Sequence, residues 1–497
     1  MKTPTVLIIG AGVGGLAAAA HLARRGLAVT VVEKNARAGG RCDQFVHAGH
    51  TFDTGPTLFI MPRVFEAEFA ALGTAVREHL DLQRVDPAYR LIFDDGRALA
   101  LTGDLRAMCA QLEAFEPGSF AGFLRYLEEG HRHYHLAMRH LVDRDFRTAG
   151  DFFNLGNLPL LFSLKPLARH YDHMAAFFAE PRLRAAFTFQ DVYMGLSPFE
   201  APATFSMMPY TEMAHGVWYP RGGMYQVAEA LLAIARAAGA EFAFHTAVER
   251  IEVRAGRAQG VVLADGRRLT ADVVLANADL PYVYDALLPE AELARPLARK
   301  RYSCSTISFF WGLDRAFPAL GPHTLCLCDD YRGNFESLAR NQALPDHPSL
   351  YLHAPARLDP AMAPAGQDTL IAIVPAGHLG EGEASEQDWA AIRDQARQAV
   401  FQRLEQLGLA EVKAHIKFEV NYTPLSWRKR YNLVKGATHG LCHNLTQLGY
   451  FRPGNRHPRY PNLYFAGAST RPGTGLPTAL ISARLAAERI CADLRPA

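Results

Sequence analysis

Four apolar residues, VLII at 6–9, open the chain and run straight into a cluster of glycines. An uninterrupted apolar run bounded by glycine predicts a buried strand. Residues 16–25 repeat apolar and small side chains at helical spacing. Residues 28–32 form a second apolar run, ending on Glu33. From 113 to 219 the pattern is helical and rich in Phe, Tyr and Leu. Short runs at 242–244, 246–253 and 259–263, a turn at Asp265-Gly266 and an apolar run at 273–276 predict a meander of strands. Residues 301–420 mix strands at 307–311, 350–353 and 370–374 with a helix over 386–407. Near the end, 462–468 reads as a strand closing on Gly467, and 478–494 as a helix. No internal repeat interrupts this order.

The opening glycines have the spacing Gly10-x-Gly12-x-x-Gly15, between a strand and a helix. Gly10 serves the tight turn, Gly12 the approach of a pyrophosphate, and Gly15 close packing of helix on strand. The phosphates then face the positive end of the helix. Glu33, eighteen residues past Gly15, is placed to accept hydrogen bonds from a ribose. Together these make a complete βαβ dinucleotide-binding unit. Lys34 and Arg37-Ala38-Gly39-Gly40-Arg41 follow at once. That segment resembles the second glycine motif of FAD enzymes of the glutathione-reductase and amine-oxidase type, so FAD is the expected cofactor. No second such motif follows a strand downstream, which argues against a separate NADPH domain.

The expected fold is therefore α/β. A discontinuous Rossmann-like FAD-binding domain is assembled from 1–80, 216–285 and 425–497. A mixed α+β substrate domain comprises 81–215 and 286–424, with 152–171 as a helical membrane-docking segment.

Composition narrows the classes. The chain has 497 residues, 49% hydrophobic and 21% charged, with a net charge of +2; nothing argues for nucleic acid. Seven scattered cysteines read as reduced thiols of a cytoplasmic protein, and no signal peptide is expected ahead of the first strand. No apolar stretch reaches the ~20 residues of a membrane span. The stretch 155–170 does concentrate leucines and Phe162, with Lys165, Arg169 and His170 at one end. That arrangement suits either docking on an anionic membrane surface or a buried helix with a basic end; docking is favoured for an apolar substrate. The histidines at 131, 133, 135 and 140 invite a metal reading. Only His131 and His135 share a helix face and no carboxylate completes a set, so no metal is expected.

Further motifs add a specific resemblance. They are Phe52-Asp53-Thr54-Gly55-Pro56-Thr57, Trp218-Tyr219-Pro220-Arg221-Gly222-Gly223-Met224, Phe451-Arg452-Pro453, and Gly467-Ala468-Ser469-Thr470-Arg471-Pro472-Gly473-Thr474-Gly475-Leu476-Pro477. In this order they resemble the bacterial phytoene desaturase family of carotenoid desaturases and isomerases, over nearly the whole chain. The resemblance implies an FAD enzyme at the inner membrane surface that introduces double bonds into phytoene or a similar polyene. It assigns Gly10, Gly12, Gly15, Glu33, Arg41 and Val248 to the ADP half of FAD. Asp53, Gly55 and Pro56, with Thr57, fall in the loop beside the flavin; Gly467, Ala468, Gly475, Leu476 and Pro477 fall under its ring. Many members read His-Pro-Gly where this chain has Arg471-Pro472-Gly473, and a cation there would favour an anionic reduced flavin. Where some members carry Asp-x-x-Arg, the fourth position here is Asn154.

Desaturation removes a hydride and a proton from adjacent carbons, and only the flavin can take the hydride. Asp151, Glu212 and His215 are the candidates for a base, each alternatively a structural polar residue. The electrons must then leave to an external acceptor, oxygen or a quinone. Aromatic residues between 152 and 205 are candidates for the wall of an apolar tunnel, or for an ordinary helical core. Desaturation or oxidation of a modified carotenoid, amine oxidation, and carotenoid or flavin carriage are the alternatives.

Overall fold

The computed structural model describes residues 3–288, 290–341, 343–380 and 388–495. Its first layer is a five-stranded parallel sheet. The opening strand Thr5–Ile9 lies between Ala28–Val32 and Val273–Ala276; Glu241–Ala243 and Leu463–Phe465 form the two edges. The strands thus come from three distant stretches of chain. Side chains alternate across the sheet. Val6 and Ile8 face the helix Val13–Arg24, and Leu7 and Ile9 face the opposite side.

That helix is buried along its length because Ala17, Ala18, Ala19 and Ala20 leave no bulk on any side. The helices Gln226–Ala237 and Leu476–Leu494 pack against it. The opposite face of the sheet is covered by an antiparallel sheet of Val248–Arg254, Arg257–Leu263 and Arg268–Thr270. The sequence pattern places Val273–Ala276 at the end of this meander. The strand instead pairs with Thr5–Ile9, since its four apolar residues are buried on both faces and suit the middle of a parallel sheet.

The second body is a seven-stranded sheet whose central strands are Ser305–Leu313, Asp368–Ala376 and Leu350–His353. Ile307, Phe309, Trp311 and Leu313 point toward the helix Trp389–Gln406. The start expected for that helix, at 386, lies outside the described residues. Tyr89–Phe93 and Ala98–Leu101, not anticipated as strands, extend this sheet through parallel pairing of Tyr89–Phe93 with His323–Leu327. Leu82–Val85, at the start of the expected substrate segment 81–215, pairs with Val217–Pro220, at the start of the expected FAD-binding segment 216–285. A helical region crowns the sheet, with Ser119–Ala137 packed along Met207–His215. Phe178, Phe187 and Tyr126 make an aromatic core there, so most of the aromatic density in this segment serves packing.

Candidate active site

A cavity of about 530 Å³ runs from the carboxyl ends of the parallel strands to the inner face of the seven-stranded sheet. Its first end is built from glycine backbone. A Cβ on Gly40 would stand 3.0 Å from the Gly12 Cα, and one on Gly12 would stand 2.9 Å from the Asn277 amide oxygen. Gly10 holds φ at +95°, open to glycine at little cost. The helix Val13–Arg24 starts here with no side-chain cap and no acid in its first turn, so its amides remain available to an anion. Gly15 does not line the cavity. A Cβ there would fall 2.1 Å from the Gly10 carbonyl oxygen, which makes it the contact between helix and strand.

Glu33 lines this end, but its carboxylate is held by the chain itself. It accepts from the Ala11 amide and from the Asn35 amide and side chain, each at 2.8 Å. It therefore fixes the glycine turn as well as facing the ligand space. Lys34 and Val248 stand on the same wall, with Lys34 Nζ donating to Asn432 at 2.7 Å. Arg41 reaches across to donate to the Thr438 carbonyl at 2.6 Å. Burial lowers its pKa from the ordinary arginine value, opposed by Asp279.

Gly55, Pro56 and Thr57 line the middle of the cavity. Asp53 does not. It lies behind the wall and accepts from the Met224 and Tyr225 amides, Gln44 and Tyr219, clamping the Gly222-Gly223 turn to the loop. Burial pushes its carboxyl up to about 6. Gly467, Ala468, Gly475, Leu476 and Pro477 form the floor, where the helix Leu476–Leu494 begins, also without a side-chain cap or first-turn acid.

Beyond them the walls turn apolar, with Phe65, Phe189, Leu325, Leu327, Phe335 and Ile373 among the side chains. Of the candidate tunnel aromatics, Phe189 and Tyr193 reach this space; Phe153 and Phe162 are exposed on the outer surface, and Phe152 packs half-buried against Phe146 and Tyr450.

Several sequence expectations change here. Arg471 is not beside the flavin space. It donates to the Phe146 and Tyr450 carbonyls at 2.6 Å each and to the Arg452 carbonyl, and lies over the Tyr450 ring. The buried cation behind the floor is Arg452, whose guanidinium donates to the Ala468 and Thr470 carbonyls; burial lowers its pKa to about 10. Asp151 caps a surface helix turn, accepting from the Thr148 and Arg147 amides at 2.8 Å each, which hold its carboxyl below the usual range. It cannot reach the cavity. His215 sits between the Tyr134 and Tyr210 rings with neither ring nitrogen hydrogen-bonded. Burial and the nearby Arg63 push it down to about 4, and it too is away from the cavity. Glu212 is fully buried one layer behind the wall.

Sequence reasoning overlooks Asn277 and Asp279. Asn277 follows Val273–Ala276 directly, and its amide wedges between Gly12, Gly14 and Gly467 while donating to the Ala466 carbonyl at 2.9 Å. Asp279 accepts from Ser469 and from the Val434 amide. A signal exists in the sequence: polar residues just past the carboxyl end of a parallel strand mark the ligand crevice of an open α/β sheet. Among the described residues no group of three His, Cys, Asp or Glu side chains is placed to hold a metal ion.

The glycine cradle, two uncapped helix starts and an acid at the strand end fit a dinucleotide with a diphosphate. They define a flavin-dependent oxidoreductase with an apolar substrate space. The chain belongs to the flavin containing amine oxidoreductase family, whose model matches residues 13–491, and within it to the phytoene desaturase type. It is 41% identical to the zeta-carotene-forming phytoene desaturase of Myxococcus xanthus, across 98% of this chain and 93% of that one. It is 39% identical to the phytoene desaturase of Fusarium fujikuroi, across 98% and 89%. A solved putrescine oxidase bound to putrescine shares the fold with a TM-score of 0.66 at 16% identity, covering 99% of each chain.

Proposed function

We propose that this protein is an FAD-dependent carotenoid desaturase that introduces double bonds into phytoene or a similar long polyene. The observation that carries this reading is the continuity of the cavity, from a glycine-built dinucleotide end into an apolar end on the inner face of the second sheet. Gly10, Gly12, Glu33, Arg41 and the floor at 467–477 would hold FAD, which would supply a two-electron acceptor for a hydride. The apolar walls align an allylic carbon pair and exclude water. The electrons leave to oxygen or a quinone outside the chain. Co-expression with a phytoene-producing pathway tests this: a coloured product with a longer chromophore is expected, and unchanged phytoene would overturn it.

We also infer that the protein takes this substrate from a membrane surface. Leu155, Phe162 and Leu167 are 88%, 79% and 80% exposed, and Phe153, Leu158 and Leu161 widen the patch. Leaving each such side chain in water forgoes about 1.5–3 kcal/mol, which favours a bilayer as the cover for this patch. The cationic rim expected from the sequence is reduced to Arg169. Lys165 is paired with Glu129, and His170 is buried against Asp191. No helix among the described residues is long and apolar enough to cross a membrane.

A further inference from the structure

Desaturation releases a proton as well as a hydride, and among the described residues the apolar end of the cavity carries no carboxylate to receive it. The carboxylates that do stand on the cavity wall, Glu33 and Asp279, lie at the dinucleotide side and are already held by backbone amides. The apolar end carries the tyrosines Tyr193, Tyr331 and Tyr351, and their connections differ. Tyr331 meets Thr188, whose hydroxyl donates onward to the Arg184 carbonyl and ends there. Tyr351 meets Thr57 and His323, but His323 is stacked on His353 with centroids 4.6 Å apart. Burial and that second ring hold His323 well below the ordinary histidine range, so it is a poor proton acceptor.

Tyr193 is different. Its hydroxyl donates to the Tyr89 oxygen at 2.8 Å, and the Tyr89 hydroxyl donates to Glu212 Oε1 at 2.9 Å. The other Glu212 oxygen accepts from Gln190 at 3.0 Å. Both hydroxyls donate to groups off the cavity wall, and neither bond uses a lone pair of the wall residue Tyr193. We propose that Tyr193, Tyr89 and Glu212 form a proton wire that carries the proton released in desaturation from the cavity to the buried Glu212 carboxylate. The inference rests on the desaturase reading above.

In this step one substrate C–H bond would break with its electron pair as a hydride, for which bound FAD would supply the two-electron acceptor. The neighbouring C–H bond breaks toward the Tyr193 oxygen, and its electron pair becomes the second bond of the new C=C. Tyr193 passes its own hydroxyl proton to Tyr89, and Tyr89 passes its own to Glu212, which ends as the neutral acid. The wire resets by the reverse transfer to water entering the emptied cavity. Burial sets Glu212 at about 7, a suitable level for an acceptor that must also release. The ionisable groups around it are Tyr89 and Tyr193 in front and Tyr126 on the helix Ser119–Ala137 behind. Asp191, beside Gln190, is tied to His170. Tyr193 faces the substrate; Tyr89 and Glu212 act through it.

The test uses holoenzyme with phytoene in phospholipid vesicles and follows flavin bleaching without oxygen, across the neutral pH range. The wild-type rate should rise with pH along a limb near neutrality. Glu212→Gln and Tyr89→Phe should each slow bleaching by about 10²–10⁴-fold and abolish that limb, with FAD content unchanged. Infrared difference spectra should show a carboxylic-acid band titrating near neutrality in the wild type and Tyr89→Phe, and absent in Glu212→Gln. Variants that bleach at the wild-type rate, or that are slow but keep the limb, overturn the wire. Should Glu212→Gln not fold, Tyr89→Phe decides alone. A wild type that never bleaches with phytoene refutes the desaturase reading itself, and the wire with it.

Discussion

Replacing Glu33 by alanine should destabilise this protein even when no cofactor is bound. The carboxylate accepts three hydrogen bonds at 2.8 Å, two from backbone amides. A hydrogen bond to a charged group contributes about 1.5–3 kcal/mol. The Ala11 amide is buried, so its loss is uncompensated; the Asn35 amide is half-buried, and water takes over most of its bond. The net cost is then about 2–3 kcal/mol, a roughly 30- to 150-fold change in the unfolding equilibrium. Urea unfolding of cofactor-free protein measures it, beside FAD affinity by ultrafiltration. Both should fall, because the turn that Glu33 holds carries Gly10 and Gly12. If the urea midpoint is unchanged and only FAD affinity drops, Glu33 acts on the ribose alone and the structural account is wrong. If neither changes, both roles are refuted.

Other outcomes follow from the same geometry. Gly15→Ala places a Cβ 2.1 Å from the Gly10 carbonyl. With backbone on both sides nothing can yield, and the variant should lose both FAD and thermal stability; a wild-type melting curve would contradict this. Glu212 is raised from 4.5 to about 7 by burial, so between those values the folded state holds more protons than the unfolded one. Stability should therefore fall as pH rises through that window, by up to about 3 kcal/mol, and Glu212→Gln should flatten the profile measured by urea unfolding. Cys304 stands on the cavity wall, but burial pushes its thiol up to about 12; it should resist iodoacetamide at neutral pH until the protein unfolds, and rapid labelling would contradict the placement. Phe162→Asp with Leu167→Asp should lower flotation with vesicles while leaving FAD content intact; unchanged flotation would remove the membrane surface from the account.

The dinucleotide unit is legible from residues 6–41 because each of its parts answers a local demand. A buried strand needs an apolar run, a tight turn needs φ above zero, a helix start facing an anion needs bare backbone, and the next strand must end on an acid. Such demands fall on neighbouring residues, so spacing alone identifies them. The strand at 273–276 is equally plain as a strand, but its partner is not, since four apolar residues in a row say that both faces are buried without saying by what. Strands 89–93 and 98–101 escape for a related reason: the pairing of 89–93 with 323–327 bridges more than two hundred residues, and no local periodicity records it. Tertiary packing alone decides which polar groups face the cavity. It turns Arg471 outward onto the Phe146 and Tyr450 carbonyls, leaves Asp151 as a helix cap, isolates His215 among tyrosines, and brings Asn277 between Gly12 and Gly467. Tyr89, Tyr193 and Glu212 belong to three different elements and meet only because the helical region closes over the second sheet. A residue's type fixes what chemistry it can offer; its distance to a partner a hundred residues away is set by how the layers pack.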